Sequence, residues 1–202
     1  MSLRPLHLSF AALVPVVLAA GLSGAELRPE RRDADALKEK VAAINAFARR
    51  PSRQSRRTTV TQTEVNAYLT YDAPPDLPVG VVDPAVTILG TGRVSGRAVV
   101  DLDAVRKERK PTSLFDPMSY LGGRLPIAAT GTLTTSNGVG RFALESASVS
   151  GIPVPKIVLQ EVVSYYSRTP QNPAGISLDD PFALPSRIRE IQVERGRAVV
   201  VQ

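Results

Sequence analysis

The sequence predicts an α+β domain built on an antiparallel sheet, and three observations lead to that fold class. Apolar residues recur every three or four positions in residues 33–48 and 155–168, which is the period of an amphipathic helix. Between them, residues 86–102 and 125–144 alternate apolar and polar side chains, as strands with one buried face do. Turn sequences that contain glycine interrupt both alternating stretches, so the strands are expected to pair as hairpins.

Composition bounds the chain before any motif is considered. Its 202 residues are 43% apolar and 22% charged, with a net charge of +6, no cysteine, no tryptophan and one histidine. This length and composition are typical of one domain with a real core. Without cysteine the chain has neither disulfides nor thiolate chemistry, and the single histidine, His7, lies in a segment that is expected to be removed.

Residues 1–25 predict a cleaved secretory signal peptide. A short basic start around Arg4 precedes an apolar run over residues 8–22, and small residues at 23–25 suit signal peptidase. The apolar run is shorter than the ~20 residues that span a bilayer. We therefore expect one mature domain, residues 26–202, in the periplasm or secreted, with no cysteine to carry a lipid anchor.

The first part of the domain is expected to contain two helices. One runs from an N-cap at Asp33 to Ala48, and the basic segment after it, up to Arg57, is expected to be a loop. The second helix begins after Thr61, which has Glu64 at the spacing of a capping box. The apolar face of the first helix consists of Leu37, Val41, Ile44 and Ala48.

Two β-hairpins are predicted in the middle of the chain. The first turns at residues 90–92 and the second at residues 136–138, where Asn-Gly favours a type I′ turn. The second strand of the first hairpin has an apolar face and a polar face. The apolar face is Val94, Gly96, Ala98, Val100 and Leu102, and the polar face is Arg93, Ser95, Arg97, Asp101 and Asp103.

The remaining elements follow from similar patterns. Residues 105–123 are predicted to form a crossover or a lid between the hairpins. A helix over residues 155–168 begins at a proline, and residues 169–175 form a loop. The last strands are expected at residues 188–194 and 197–202.

Motifs for catalysis, cofactors or metals are mostly lacking. No G-x-S-x-G motif occurs, and without a mature histidine a serine hydrolase would need a Ser-Lys or Ser-Glu arrangement. The glycines at 90, 92 and 96 do not have the spacing of a dinucleotide loop. Zinc and iron sites need Cys or His, and no acidic spacing matches a calcium loop. We therefore expect neither a cofactor nor a metal.

Two pairs of carboxylates leave an enzyme open as an alternative. Asp101 and Asp103 are expected on one face of a strand, and Asp179 and Asp180 share a loop, which is the minimum for acid–base work on a sugar. Pairing with arginines and ordinary turn chemistry explain both pairs more simply. The protein is therefore expected not to be an enzyme.

Basic residues form two groups that could make a transient contact with an anionic membrane surface. Export argues against nucleic acid as a partner, and solvated loops are the simpler alternative. The first group is Arg49, Arg50, Arg53, Arg56 and Arg57, and the second is Arg106, Lys107, Arg109 and Lys110.

Small residues on the predicted apolar sheet face leave space beside the helix 155–168. These residues are Gly96, Ala98, Ala129 and Gly131. The remaining volume could hold an acyl chain, which would gain ~0.8 kcal/mol for each buried methylene. A filled core is the alternative.

Four short segments carry a family resemblance. They are Thr-Glu-Val-Asn-Ala-Tyr-Leu at 63–69, Gly-Arg-Leu-Pro at 123–126, Gly-Ile-Pro-Val-Pro at 151–155, and Leu-Pro-Ser-Arg-Ile at 184–188 with Ile191, Val193, Gly196 and Val199–Val201 after it. In their order they resemble the LmeA-like periplasmic proteins and, more distantly, the tubular lipid-binding (TULIP) domains. The resemblance implies a curved antiparallel sheet wrapped around a long helix in the C-terminal half, and it implies lipid or amphiphile binding in the envelope.

Together these features predict a carrier that binds a lipid or other amphiphile in a groove between sheet and helix. The residues expected to line the groove are Leu133, Phe142, Leu144, Val158, Val162, Tyr165 and Tyr166, and those expected to gate it are Phe115, Met118, Tyr120 and Leu121. The alternative function is an envelope scaffold that binds a protein partner through a sheet edge or its basic loops.

Overall fold

The protein has an α+β fold with two antiparallel sheets, as seen in a computed structural model. The structure describes residues 29–50, 54–73, 77–108, 122–166, 168, 172–175 and 177–202, without the side chains of Glu108, Val162, Tyr165 and Tyr166. In these ranges the helices are α1 (Arg31–Ala48), α2 (Gln62–Tyr71), α3 (Leu102–Glu108) and α4 (Lys156–Tyr166). The strands are β1 (Arg57–Thr61), β2 (Val81–Gly90), β3 (Arg93–Asp101), β4 (Arg124–Ser136), β5 (Val139–Val149), β6 (Ile152–Pro153), β7 (Phe182–Ala183), β8 (Glu190–Glu194) and β9 (Arg197–Val201).

The strands divide into a larger and a smaller sheet. The larger sheet has the order β2-β3-β4-β5-β6, with β7 paired to the other end of β5, and it is open rather than closed on itself. The smaller sheet has the order β1-β9-β8. All of these pairings are antiparallel, which confirms the predicted α+β class and strand orientation.

Both predicted hairpins are present. Thr91 and Gly92 connect β2 to β3, and Asn137 and Gly138 connect β4 to β5. Asn137 has φ 48° and Gly138 has φ 81°. A type I′ turn requires positive φ at both central residues, and Asn-Gly adopts it at little steric cost. The prediction from this dipeptide is therefore confirmed.

The helix starts are partly as predicted. The capping box of α2 is confirmed, since the Glu64 N–H donates to Thr61 Oγ1 at 3.2 Å and the Thr61 N–H donates to Glu64 Oε2 at 2.9 Å. The N-cap of α1 is Glu30 and not Asp33. Asp33 lies three residues into the helix, where its carboxylate accepts the Glu30 N–H at 3.3 Å. Val41, expected on the apolar face of α1, is 44% exposed.

One strand was not predicted and one predicted strand is too long. Strand β1 follows the segment expected to be a loop up to Arg57, and it escapes notice because Val60 is its only buried residue. The strand expected to reach Asp103 ends at Asp101, because the Asp101 carboxylate accepts the Ala104 N–H at 3.0 Å and begins α3. Asp101 and Asp103 therefore do not share a strand face.

A compact layer of α1, α2 and the smaller sheet covers one end of the larger sheet. Its core is formed by Ile44, Ile188 and Val200. Thr135 on β4 is joined to Ile191 on β8 by hydrogen bonds in both directions, at 2.7 and 3.1 Å. These contacts fix where the smaller sheet sits on the larger one.

Side-chain amides from α2 cover the outer edge of β2. Asn66 donates to the Val86 carbonyl at 2.9 Å and accepts the Val86 N–H at 2.7 Å, while Gln62 accepts the Ile88 N–H at 2.7 Å. An amide side chain can replace a neighbouring strand in this way, so the part of the edge at Val86 and Ile88 is already paired. Within the described ranges, no helix combines the length and the hydropathy needed to cross a bilayer.

Candidate functional site: an apolar groove between the larger sheet and α4

The floor of the groove is the apolar face of strands β2 to β5. Register places Gly96 beside Ala129 and Ala129 beside Ala147, and it places Ala98 beside Ile127 and Ile127 beside Val149. Because side chains alternate along a strand, all five of the residues at 96, 98, 127, 129 and 147 face the same side. Four of these five residues are glycine or alanine, so most side chains on this face are short, as the sequence pattern predicts.

Two glycines on this face differ in what surrounds them. A Cβ added to Gly96 would meet no heavy atom within 4 Å, so the space above this residue is open. A Cβ added to Gly131 would overlap the ring of Phe142. The face is thus packed near Gly131 and hollow near Gly96.

Helix α4 and the loop after it form the other wall. Pro155 precedes the helix, and Leu159 and Val163, four residues apart, line the space together with Leu178. The loop is held to the helix because the Leu178 N–H donates to Gln160 Oε1 at 2.8 Å. One wall is therefore helical and the opposite wall is sheet.

The space between these walls is a groove of about 440 Å³. Its lining consists of backbone and side chains of Ala85, Val86, Gly96, Arg97, Ala98, Ile127, Ala128, Ala129, Phe142, Leu144, Ala147, Ser148, Val149, Leu159, Val163 and Leu178. This volume falls within the range of small-molecule sites. An apolar lining of this kind gains free energy by removing apolar ligand surface from water.

The structure brings some of the predicted groove residues together. Phe142 and Leu144 line the groove. Leu133 does not: it lies on the same sheet face but two residues from Thr135, where β8 packs. Val158 is 47% exposed and is not part of the lining.

The other predicted residues are not described by the structure. Val162, Tyr165 and Tyr166 belong to α4, but their side chains lie outside the described part of the chain. The expected gate residues also lie outside the described residues; they are Phe115, Met118, Tyr120 and Leu121. Sequence reasoning missed Leu159 and Val163 as lining residues, because Val158 and Val162 have the same spacing of four and no sequence signal separates the two pairs.

The carboxylates considered for catalysis have local partners. Asp101 caps α3 and lies 3.5 Å from Arg124 Nε. The Ala104 N–H is the largest cause of the lowered pKa of Asp101; burial opposes it, and the Arg124 charge lowers the pKa further. Asp103 pairs with Arg106 at 2.6 Å. These contacts explain the pair Asp101 and Asp103 as a helix start.

Several basic residues proposed for membrane contact also have partners. Arg56 lies over the Phe47 ring at 5.8 Å, and Arg57 donates to Gln192. Arg53, Arg109 and Lys110 are outside the described residues. A separate concavity of about 660 Å³ lies near this basic segment and is lined by polar groups such as Arg187 and Arg189. Its lining mixes these polar groups with apolar ones such as Phe47 and Ile188, whereas the lining of the groove is almost wholly apolar.

No protein-family model matches the chain, and no curated protein and no solved structure matches it. The groove is therefore the feature of the molecule that suggests a function.

Proposed function

We propose that this protein binds a lipid or other amphiphile in the groove and carries or sequesters it. The observation that supports this function most directly is the open space above Gly96, between an apolar sheet face and the apolar side of α4. A groove of about 440 Å³ is large enough to take an acyl chain, and its apolar lining would remove that chain from water.

Burial in the rest of the domain supports the same proposal. The core of the described residues is centred on α1 and the smaller sheet, where Ile44 and Val200 are 6% and 8% exposed. By contrast, Gly96, Ala98 and Ala129 on the groove floor remain partly exposed. The domain can therefore fold on the first core and leave the second surface for a ligand.

The finer fold is part of this proposal. We infer that the larger sheet curves around α4, as in the LmeA-like and TULIP proteins that the sequence resembles. Bulges support curvature: the register shifts between Val82 and Ala85 on β2, and again opposite Thr130 of β4, where Glu145 is the extra residue on β5. An extra residue at a bulge bends a strand and increases its twist.

The proposed setting is the cell envelope. It depends on residues 1–25 acting as a cleaved signal peptide, since their basic start, apolar run and small residues have that pattern. A soluble carrier in that compartment would shield acyl chains from water between membranes. The domain proposed to do so is residues 26–202.

Native mass spectrometry tests this function. Residues 26–202 are purified without detergent and incubated with a total lipid extract of the host, and the mass of the intact complex is measured. The proposal predicts a bound lipid at a ratio of one ligand, or a fixed small number, per chain. A clean ligand-free mass at all lipid concentrations would contradict it and would favour the protein-binding scaffold.

A further inference from the structure

The groove is open to solvent, so its volume measures how much hydrocarbon it can cover. A methylene group is about as large as a water molecule, ~30 Å³, so 440 Å³ holds about 15 of them. Two acyl chains of membrane lipids would need about twice that space. The groove is therefore the right size for one chain of ordinary length.

An ion pair lies beside the groove where its two non-sheet walls meet. Lys156 Nζ is 2.5 Å from Asp179 Oδ1. Lys156 begins α4 three residues before Leu159, and Asp179 directly follows Leu178, so each partner adjoins a residue of the lining. The side chains are 45% and 62% exposed. The pair is therefore at the rim, in contact with water.

An exposed ion pair of this kind is easily replaced when a competing ion binds one of its partners. Exposed ion pairs contribute only ~0.2–1 kcal/mol, because water and salt screen them. A lysine ammonium binds carboxylates and phosphates as a point charge. An anionic group that arrives at the rim with its chain in the groove would compete with Asp179 at a high local concentration.

Arg97, the cation that belongs to the groove lining, is not placed to bind such an anionic group. Arg97 lies between Gly96 and Ala98 on β3, so alternation directs its side chain to the opposite face of the sheet. There it borders a different concavity together with Asp83. Of these two cations, Lys156 is therefore the one that adjoins the apolar side of the groove.

We propose that the groove accepts a single alkyl chain whose anionic head group is bound by Lys156 in place of Asp179. This inference rests on the proposed lipid-binding function and specifies its ligand as a single-chain anionic amphiphile. The head group is a carboxylate or a phosphate, as in a fatty acid or a lysophospholipid.

A chain-length series tests the single-chain part. Saturated fatty acids from C8 to C18 are titrated, below their micelle concentrations, against a bound fluorescent fatty acid, with lysophosphatidate and dipalmitoyl phosphatidylglycerol in parallel. We expect affinity to rise about fourfold per methylene, the equivalent of ~0.8 kcal/mol, and to level off near 15 carbons. If the two-chain phospholipid bound and the single-chain amphiphiles did not, this part of the proposal would be overturned and the lipid-binding function would stand.

Head-group variants test the role of Lys156. Lys156→Gln should weaken binding of fatty acids about three- to fivefold and leave binding of n-alcohols of equal length unchanged. Asp179→Asn removes the competing carboxylate and should tighten fatty-acid binding, whereas a purely structural ion pair would make both variants weaker binders. Lys38→Gln is the matched control, because Lys38 is 44% exposed and pairs with Asp35 on α1 and with Asp72 after α2, away from the groove.

The remaining outcomes separate the two proposals. Equal affinity for acids and alcohols, with no effect of Lys156→Gln, would overturn the head-group assignment alone. Lysophosphatidate binding far more tightly than the fatty acids would identify phosphate as the head group, and the reverse order would identify carboxylate. If no amphiphile of any kind displaced the probe, or the probe itself failed to bind, the lipid-binding function would fall.

Discussion

Replacement of Gly96 by valine is expected to separate folding from ligand binding. The Cβ at this position would meet no heavy atom within 4 Å, so the substitution creates no clash. Glycine inside a strand weakens it and valine favours the extended backbone, so we expect the variant to be as stable as the native chain or more stable, by up to ~1 kcal/mol.

The same substitution should damage the site. Valine places three carbons in the groove, where they take the room of about three methylenes of the ligand. At ~0.8 kcal/mol per methylene this loss is about 2.4 kcal/mol, which corresponds to roughly 50-fold weaker binding. Gly96→Ala adds one carbon and should weaken binding about fourfold.

Both quantities can be measured on the same samples. Urea denaturation gives the free energy of unfolding, and displacement of a fluorescent fatty acid gives the affinity. Thr87→Val is the control, because Thr87 is exposed and pairs with Ser95 on the face of the sheet away from the groove. If the two Gly96 variants folded normally and bound as tightly as the native chain, the groove would not be the binding site.

Three further predictions concern the scaffold. Gly131→Ala should lower the free energy of unfolding by ~1–3 kcal/mol, measured by urea denaturation, because the added Cβ overlaps the Phe142 ring; unchanged stability would show that this part of the face is not packed. Asn66→Ala should lower the free energy of unfolding by ~1–3 kcal/mol in the same assay, because it leaves two backbone groups of the β2 edge without partners. A negligible change would mean that α2 does not cover this edge. Burial raises the pKa of Glu64, but hydrogen bonds from Lys40 and from the backbone outweigh it, so the pKa lies below its usual 4.5. The stability from this carboxylate is therefore present above pH 4.5 and lost as the pH falls further, and Glu64→Gln should flatten that part of the stability profile; an unchanged profile would refute the assignment.

The parts of the fold set by local chemistry could be predicted from the sequence. Asn137-Gly138 determines a turn by its backbone preference, and Thr61 with Glu64 determines a helix start by two reciprocal hydrogen bonds. The small residues on one face of β3 and β4 also indicated where side chains would leave space. These features depend on neighbours in the sequence and need no tertiary partner.

The parts that depend on tertiary contacts could not be predicted. Strand β1 has a single buried residue, Val60, and is a strand because β9 pairs with it. Helix α4 is apolar on several sides, with Ile157 72% exposed and Leu159 in the groove, so periodicity alone could not decide which side faces the sheet. Leu133 was expected in the groove, but it lies next to the region where β8 packs, which the order of strands alone does not reveal.

Photocrosslinking with a diazirine-bearing fatty acid tests the central claim most directly. The probe is bound to residues 26–202, irradiated, and the modified residues are mapped by mass spectrometry. The account predicts labels on the two walls of the groove, in the β5 segment that contains Phe142 and Leu144 and in the α4 segment that contains Leu159 and Val163, and it predicts that Gly96→Val removes them. Stoichiometric labelling elsewhere, such as on α1 or the smaller sheet, with none in these segments would contradict it.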